Sequence, residues 1–292
     1  MPRLTVLPCL DSDALASANR SQLHLPRERA AWLGRTAVAA IREGRYRTER
    51  GRTVELRPLI DAALSARVSL PPEAPLPASP RVPFPEAVVQ VTNETTRGAG
   101  RRLVERGGRV VALNFANGVH PGGGFLTGAR AQEEVLCRSS ALYATLEGDA
   151  MYAAHWRRDD RESSAWAILS PDVPFFRADD GTALEEPWRL SIVTCAAPVA
   201  DAVGQPRSAE LLARRIHRVL AIAAAWGYDA LVLGAWGCGA FGNDPVRAAG
   251  DFRAALEGPF LGSFREVVFA ITDWSPERRT LGPFREAFGS AS

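Results

Sequence analysis

The sequence predicts a three-layer α/β/α domain preceded by a helical extension, and three observations carry that expectation. Beyond residue 86, short apolar runs recur as continuous blocks, such as Val110-Val111-Ala112-Leu113. Strands read this way when helices cover both faces of their sheet. Between the blocks lie stretches with apolar residues three and four apart, the alternation of an α/β fold. Before them, residues 71–86 hold seven prolines, which bar regular structure and mark a boundary. Residues 1–85 are therefore read as a mainly helical extension with a proline-rich linker, and 86–292 as the main domain.

In chain order, residues 1–25 lack periodicity and are expected to form a loose leader. The run from Leu4 to Leu10 followed by Ala-Ser-Ala has something of a signal peptide, but Pro8 interrupts it and Asp11 and Asp13 follow. Trp32, Leu33, Ala37 and Ile41 predict an amphipathic helix over 27–42 that stops at Gly44. A short helix is expected over 57–67. Strands are expected at 87–91, 109–115, 166–169, 190–195, 230–233 and 266–271. Helices are expected at 99–106, 132–147, 208–226 and 245–256. The third of these places Leu212, Ile216, Val219 and Ala223 on one stripe and ends at Gly227.

Composition narrows the function. The chain has 292 residues, 46% of them hydrophobic and 23% charged, as in an ordinary soluble globular protein. A net charge of +2 gives no case for direct duplex-DNA binding. All 35 cationic side chains are arginine, which excludes a Schiff-base or P-loop lysine. Cys9, Cys137, Cys195 and Cys238 form no C-x-x-C pair, and His24, His120, His155 and His217 form no H-E-x-x-H. No metal and a reducing, cytoplasmic setting are expected. No apolar run reaches the roughly 18 residues of a membrane span.

The chemistry concentrates between residues 114 and 134. The apolar run 109–113 delivers Asn114-Phe115-Ala116-Asn117-Gly118-Val119-His120-Pro121, then Gly122-Gly123-Gly124, seven further residues, and Gln132-Glu133-Glu134 at the start of a helix. Successive glycines let bare backbone N–H groups approach a ligand, which suits phosphate oxygens beside a helix N-terminus. A flexible loop and two acids complementing the helix dipole would be the plainer reading of each part alone. A second glycine loop, Gly234 to Asn243, carries four glycines within nine residues and enters a helix through Asp244 and Pro245.

Glycine triplet, seven-residue spacer and Gln132-Glu133-Glu134 together resemble the signature of the bacterial-type poly(ADP-ribose) glycohydrolases, a branch of the macrodomain fold. Leu113-Asn114-Phe115-Ala116-Asn117 is similar to the asparagine-rich strand end of macrodomains. The resemblance implies a macrodomain-like mixed sheet, hydrolysis of ribose–ribose bonds in poly(ADP-ribose), and release of ADP-ribose. Polymer or ADP-ribosylated protein is then the substrate, with no cofactor. It makes Glu134 the acid/base catalyst and Glu133 its partner on the ribose hydroxyls.

For substrate binding it nominates Glu94 at the adenine, Asn117 and Phe241 at the distal ribose, and Gln132. The two loops, Gly122, Gly123 and Gly124 with Gly237, Cys238, Gly239, Ala240 and Gly242, would take the phosphates. Plainer roles exist for several of these: Glu94 or Thr95 as a helix cap, Asn117 as a turn residue, Phe241 as core packing and Cys238 as a buried small residue. Arg157-Arg158 and Arg214-Arg215 are expected on solvated helix faces.

One carboxyl group can protonate the leaving oxygen and then deprotonate the attacking water. A helix N-terminus favours the carboxylate, whereas burial and a neighbouring like charge favour the acid, and the sequence leaves that balance open. A macrodomain reader that binds without cleaving, or a mono-ADP-ribosyl hydrolase, are the alternatives. Two carboxylates argue against the reader, because a diphosphate needs only the glycines. A dehydrogenase lacks support, since neither loop has G-x-G-x-x-G spacing in a first βα turn.

Overall fold

The computed structural model describes residues 2–79, 83–158 and 161–289. In chain order come β1 (Arg3–Val6), α1 (Asp13–Leu23), α2 (Arg27–Glu43), β2 (Arg45–Arg47), β3 (Thr53–Glu55), α3 (Arg57–Ala66) and β4 (Val68–Leu70). Then follow β5 (Glu86–Thr92), α4 (Thr96–Glu105), β6 (Val110–Ala116), a 3-10 turn (Phe125–Thr127), α5 (Gln132–Ser139), α6 (Leu142–Leu146) and α7 (Ala150–Trp156). The chain closes with β7 (Ala167–Arg177), β8 (Ala183–Ala196), α8 (Ala200–Val203), α9 (Arg207–Ala225), β9 (Ala230–Leu233), α10 (Pro245–Glu257), β10 (Glu266–Ala270) and α11 (Leu281–Ala287).

Eight strands form one mixed sheet in the order β1-β5-β10-β9-β6-β8-β7-β4. The run from β1 to β8 is parallel, and β7 and β4 add antiparallel pairs at the far edge. Alternate residues of one strand feed opposite faces, as the strand repeat requires. Val111 and Leu113 join the core under α9, α10 and α11, with Ile216, Phe252 and Phe284. Val110 and Ala112 join the core under α4, α5 and α6, with Leu103, Leu136 and Leu142. The three layers expected from continuous apolar strands are therefore present.

The first residues differ from the loose leader expected. Residues 3–6 pair in parallel with β5, Val6 opposite Val89, and residues 13–23 form a helix capped by Ser12, whose hydroxyl accepts from the Leu15 amide at 3.2 Å. Arg278 holds the junction by binding Asp11 at 2.9 Å and Asp13 at 2.8 Å. At the opposite edge Val68 pairs with Leu169, so residues before 86 supply both edge strands. Strands of three or four residues carry too few apolar positions for periodicity to reveal them.

The helix expected over 132–147 is two helices. Ser140 turns extended (φ −143°, ψ 178°), bridges to Phe175 and lets the Ala141 amide donate to Pro174 O at 2.9 Å. The edge of β7 wins those backbone groups from the helix, which resumes at Leu142. The two strands expected at 166–169 and 190–195 are longer than their apolar blocks and pair as an antiparallel ribbon. No described helix is long and apolar enough to cross a membrane.

The extension is packed into the site's support. Leu33 of α2 is wholly buried, and a Cβ added to Gly181 would stand 2.5 Å from its Cδ1. Leu33→Ala is expected to destabilise the chain by about 2–5 kcal/mol. Urea unfolding followed by fluorescence and by far-UV circular dichroism should give one coincident, earlier transition; an unchanged midpoint would detach α2 from the core.

Candidate active site

The site lies where the parallel strands end, at the carboxyl edge of the sheet, as ligand clefts do in open α/β folds. A cleft of about 350 Å³ opens beyond β5, β6, β9 and β10, lined among others by Glu94, Phe115, Gln132, Asp179, Trp236 and Phe241.

One of its walls is the start of α5, fastened to the end of β6. Gln132 makes the fastening: its side-chain oxygen accepts from the Phe115 amide at 2.9 Å, and its nitrogen donates to Leu113 O at 2.7 Å and the Thr96 hydroxyl at 3.2 Å. The Gln132 amide thus serves the strand rather than lying free for a ligand. Glu133 and Glu134 follow on the same turn, 3% and 7% exposed.

Glu133 accepts from the Asn117 amide at 2.7 Å and from the Asn114 side chain at 3.3 Å, while the Gly122 amide also donates to it. Burial pushes its carboxyl up to about 8 against those donors, and the Glu134 charge adds to the rise. At neutral pH Glu133 therefore holds a proton. Glu134 accepts from the Gly124 amide at 2.9 Å through one oxygen, and its Oε2 is buried without a partner among the described residues.

This corrects the reading of Gly122-Gly123-Gly124 as a phosphate cradle. Gly122 and Gly124 aim their amides at the two carboxylates, and the Gly123 amide donates to His120 O at 2.9 Å. Gly123 has φ +57°, and a Cβ there would stand 2.3 Å from Glu134 Oε1 and 3.0 Å from Glu133 Oε2. Its side chain is excluded by carboxylates, not by ligand oxygens.

The second loop has the opposite character. Among the described residues, the amides of Gly237, Gly239, Ala240 and Phe241 have no acceptor, and Gly239 has open space where a Cβ would be. Asn243 braces the loop by donating to Pro198 O at 2.9 Å and accepting from the Ser208 hydroxyl at 2.7 Å. Asp244 caps α10 through the Val246 amide at 2.9 Å. Phe241 is half-buried, packed on the core and also lining the cleft.

Cys238 is partly buried, with its thiol pushed up to about 12 by burial and by Asp244, so it is no nucleophile. Gly242 is exposed at the loop's outer end, and neither Cys238 nor Gly242 lines the cleft.

At the other end Thr95, not Glu94, caps α4, accepting from the Gly98 amide at 2.9 Å. Glu94 pairs with Arg102 at 2.5 Å and still lines the cleft. Asn117 accepts from the Val119 and His120 amides, both at 2.9 Å, so its side-chain oxygen is a turn cap. His120 packs its ring 5.8 Å from Trp156. Arg214 is exposed as expected, but Arg215 is buried and donates to Ala196 O and Glu162 O. Arg215 stands three residues after Leu212 and four before Val219, on the buried stripe of its helix.

Sequence reasoning also passed over Asp179 and Arg97. Asp179 lies just past β7, fully buried, accepting from the Thr95 hydroxyl at 2.8 Å and paired with Arg97 at 3.1 Å. No spacing in the sequence links these positions.

Fold and site together define a class: an α/β domain with a cleft at the carboxyl edge of its sheet, reached from α5 by Gln132, Val135 and Leu136, and a carboxyl pair, Glu133 and Glu134, buried on the same helix turn without lining that cleft. The family model described as microbial-type PARG (poly(ADP-ribose) glycohydrolase), catalytic domain, matches residues 34–178. Among solved structures, the poly(ADP-ribose) glycohydrolase of Thermomonospora curvata is 40% identical, with a TM-score of 0.83 over 89% of this chain and 99% of that one. The same enzyme bound to the inhibitor ADP-HPD gives a TM-score of 0.81 at 40% identity, with the same coverage. The Deinococcus radiodurans enzyme in complex with ADP-ribose is also 40% identical, with a TM-score of 0.72 over 80% of this chain and 98% of that one. Comparison with curated proteins gives no match. The chain belongs to the microbial-type poly(ADP-ribose) glycohydrolase family.

Two outcomes follow from this geometry. Gly123→Ala should cut turnover on the order of a hundredfold by displacing the carboxylates, whereas Gly239→Ala should mainly weaken ADP-ribose binding. Calorimetry and polymer hydrolysis on both variants separate the effects; equal losses in both assays would contradict the division between the loops. Secondly, a carboxyl raised from its ordinary 4.5 to about 8 on folding contributes stability that is complete below 4.5 and lost as pH rises through 8. Glu133→Gln should therefore raise the melting temperature relative to wild type more at pH 9 than at pH 5. A pH-independent difference would place the Glu133 proton elsewhere.

Proposed function

We propose that Glu134 is the acid and then the base by which this glycohydrolase opens the ribose–ribose bond of poly(ADP-ribose) and releases ADP-ribose. The observation that carries the reading is the state of its two oxygens. Gly124 N–H holds Oε1, so Oε2 is the buried atom left to exchange a proton with a ligand.

The steps follow from that placement. As the bond to the leaving ribose oxygen breaks, a Glu134 O–H protonates that oxygen while an oxocarbenium-like distal ribose forms. The resulting carboxylate then takes a proton from water as the water attacks the sugar carbon. Glu133, protonated at neutral pH, donates to or accepts from the ribose hydroxyls.

The open amides of Gly237, Gly239, Ala240 and Phe241 take the diphosphate beside the α10 N-terminus. Phe241 packs against the distal ribose, and Glu94 with Asp179 lies toward the adenine. In this reading residues 86–292 hold the catalytic groups, and 1–85 closes both sheet edges and supports α5 through α2.

The test is polymer hydrolysis by Glu134→Gln with ADP-ribose binding measured in parallel. Gln keeps the shape but cannot carry the proton, so turnover should fall by at least about 10² to 10⁴. ADP-ribose affinity should hold within a few-fold. Wild-type turnover in the variant would end the assignment.

A further inference from the structure

The least explained side chain in the molecule is Arg138. It is 1% exposed on α5, and none of its three guanidinium nitrogens donates to a described group. A buried, unsatisfied cation is expensive unless opposite charge compensates it. The other orphaned buried atoms include two carboxylate oxygens, Oε2 of Glu134 and Oδ1 of Asp179. Glu134 is four residues earlier on the same helix, and side chains at that spacing share a face. Burial draws the Arg138 guanidinium's pKa down, while Asp179 and then Glu134 push it back.

We infer that Arg138 is a positioning residue for the reaction: its buried charge, one helical turn along α5 from Glu134, compensates the carboxylate that Glu134 becomes once it has given up its proton. This rests on the assignment of Glu134 above and extends it to the group beneath. The need is plain from the chemistry. After protonating the leaving oxygen, Glu134 is an anion in a buried site that already holds Glu133 and receives a diphosphate. Bulk solvent hardly reaches it there, and Gly124 N–H serves only one oxygen. A guanidinium that spends no hydrogen bond on the resting protein keeps its donors free for that moment.

The surrounding groups fit this role. On α5 itself stand Glu133 and Cys137, and the Cys137 thiol is raised well above its usual range by burial and by both glutamates. Arg130 precedes the helix and lines the cleft. From β7, Arg177 donates to Arg138 O at 3.2 Å, which fixes the backbone but leaves the guanidinium alone. From α4, Thr95 and Arg97 engage the other oxygen of Asp179. From α7, Tyr152 is buried near Glu133 and its hydroxyl is pushed far up, so it stays neutral. Arg138 is thus a buried cation without a hydrogen-bond partner among the described residues, on the same helix as Glu134.

The experiment is the pH profile of poly(ADP-ribose) hydrolysis. In Arg138→Met the alkaline limb of kcat should move up by about one pH unit or more, the size of a neighbouring opposite charge. ADP-ribose binding should change less than threefold. Arg138→Lys, which restores the charge, should bring the limb back toward wild type. Asp179→Asn, which removes a neighbouring anion, should move it down, and this variant keeps the test alive if Arg138→Met does not fold.

A purely structural role predicts lower melting temperature and lower activity with the limb unmoved in all three variants, and that result overturns the inference. Failure of the underlying assignment looks different: Glu134→Gln would then cleave polymer, or wild type would cleave none at any pH, and the inference falls with it.

Discussion

Two adjacent carboxyl groups are buried at the first turn of a helix, and the local structure is arranged around making that tolerable. An ionised or even protonated carboxyl away from water needs partners. The chain supplies backbone amides: Asn117 and Gly122 to Glu133, and Gly124 to Glu134. Those amides reach the carboxyls only because the loop after β6 curls back over α5, through glycines at φ +73° and +57°. Gln132 fixes the distance by tying the helix to two backbone groups of β6. Strand, glycine loop and helix are one device, and its product is a defined place for two protons.

The electrostatics of that device separate what the helix terminus does from what burial does. The N-terminal dipole favours anions, and the amide donors favour them too. At Glu133 burial outweighs both, so the acid form persists near neutrality. Glu134 carries fewer donors and an unpartnered oxygen, which is what a proton carrier needs when the second partner is the substrate. The other loop uses the same amino acid for a different end: the amides of Gly237, Gly239, Ala240 and Phe241 have no acceptor among the described residues, and the loop leads into the α10 terminus. One glycine loop solvates protein carboxyls, and the other is open to a ligand.

Much of this was legible in the sequence. The parallel strands appeared as apolar blocks because both sheet faces are covered, and the glycine triplet and Gln132-Glu133-Glu134, singled out together, do meet in space. What the sequence hid has physical reasons. β1 and β4 are edge strands of four and three residues, recognisable only through the neighbours they pair with. The interruption at Ser140 comes from β7 claiming backbone groups, a tertiary contact without a local signal. The glycine triplet reads equally well as a phosphate or a carboxylate cradle, since bare amides serve any anion. Arg215 read as a helix-surface charge, and only the packed structure shows it buried.

The central claim is that one carboxyl of the pair remains protonated at neutral pH because burial outweighs its donors. The most direct measurement is an infrared difference titration of wild type against Glu133→Gln, following the C=O band of protonated carboxyl groups. The account predicts a band assignable to Glu133 that persists at pH 7 and disappears with a midpoint near 8. Loss of all such bands by pH 6 would mean both glutamates are ionised in the resting enzyme, and the division of labour described above would be contradicted.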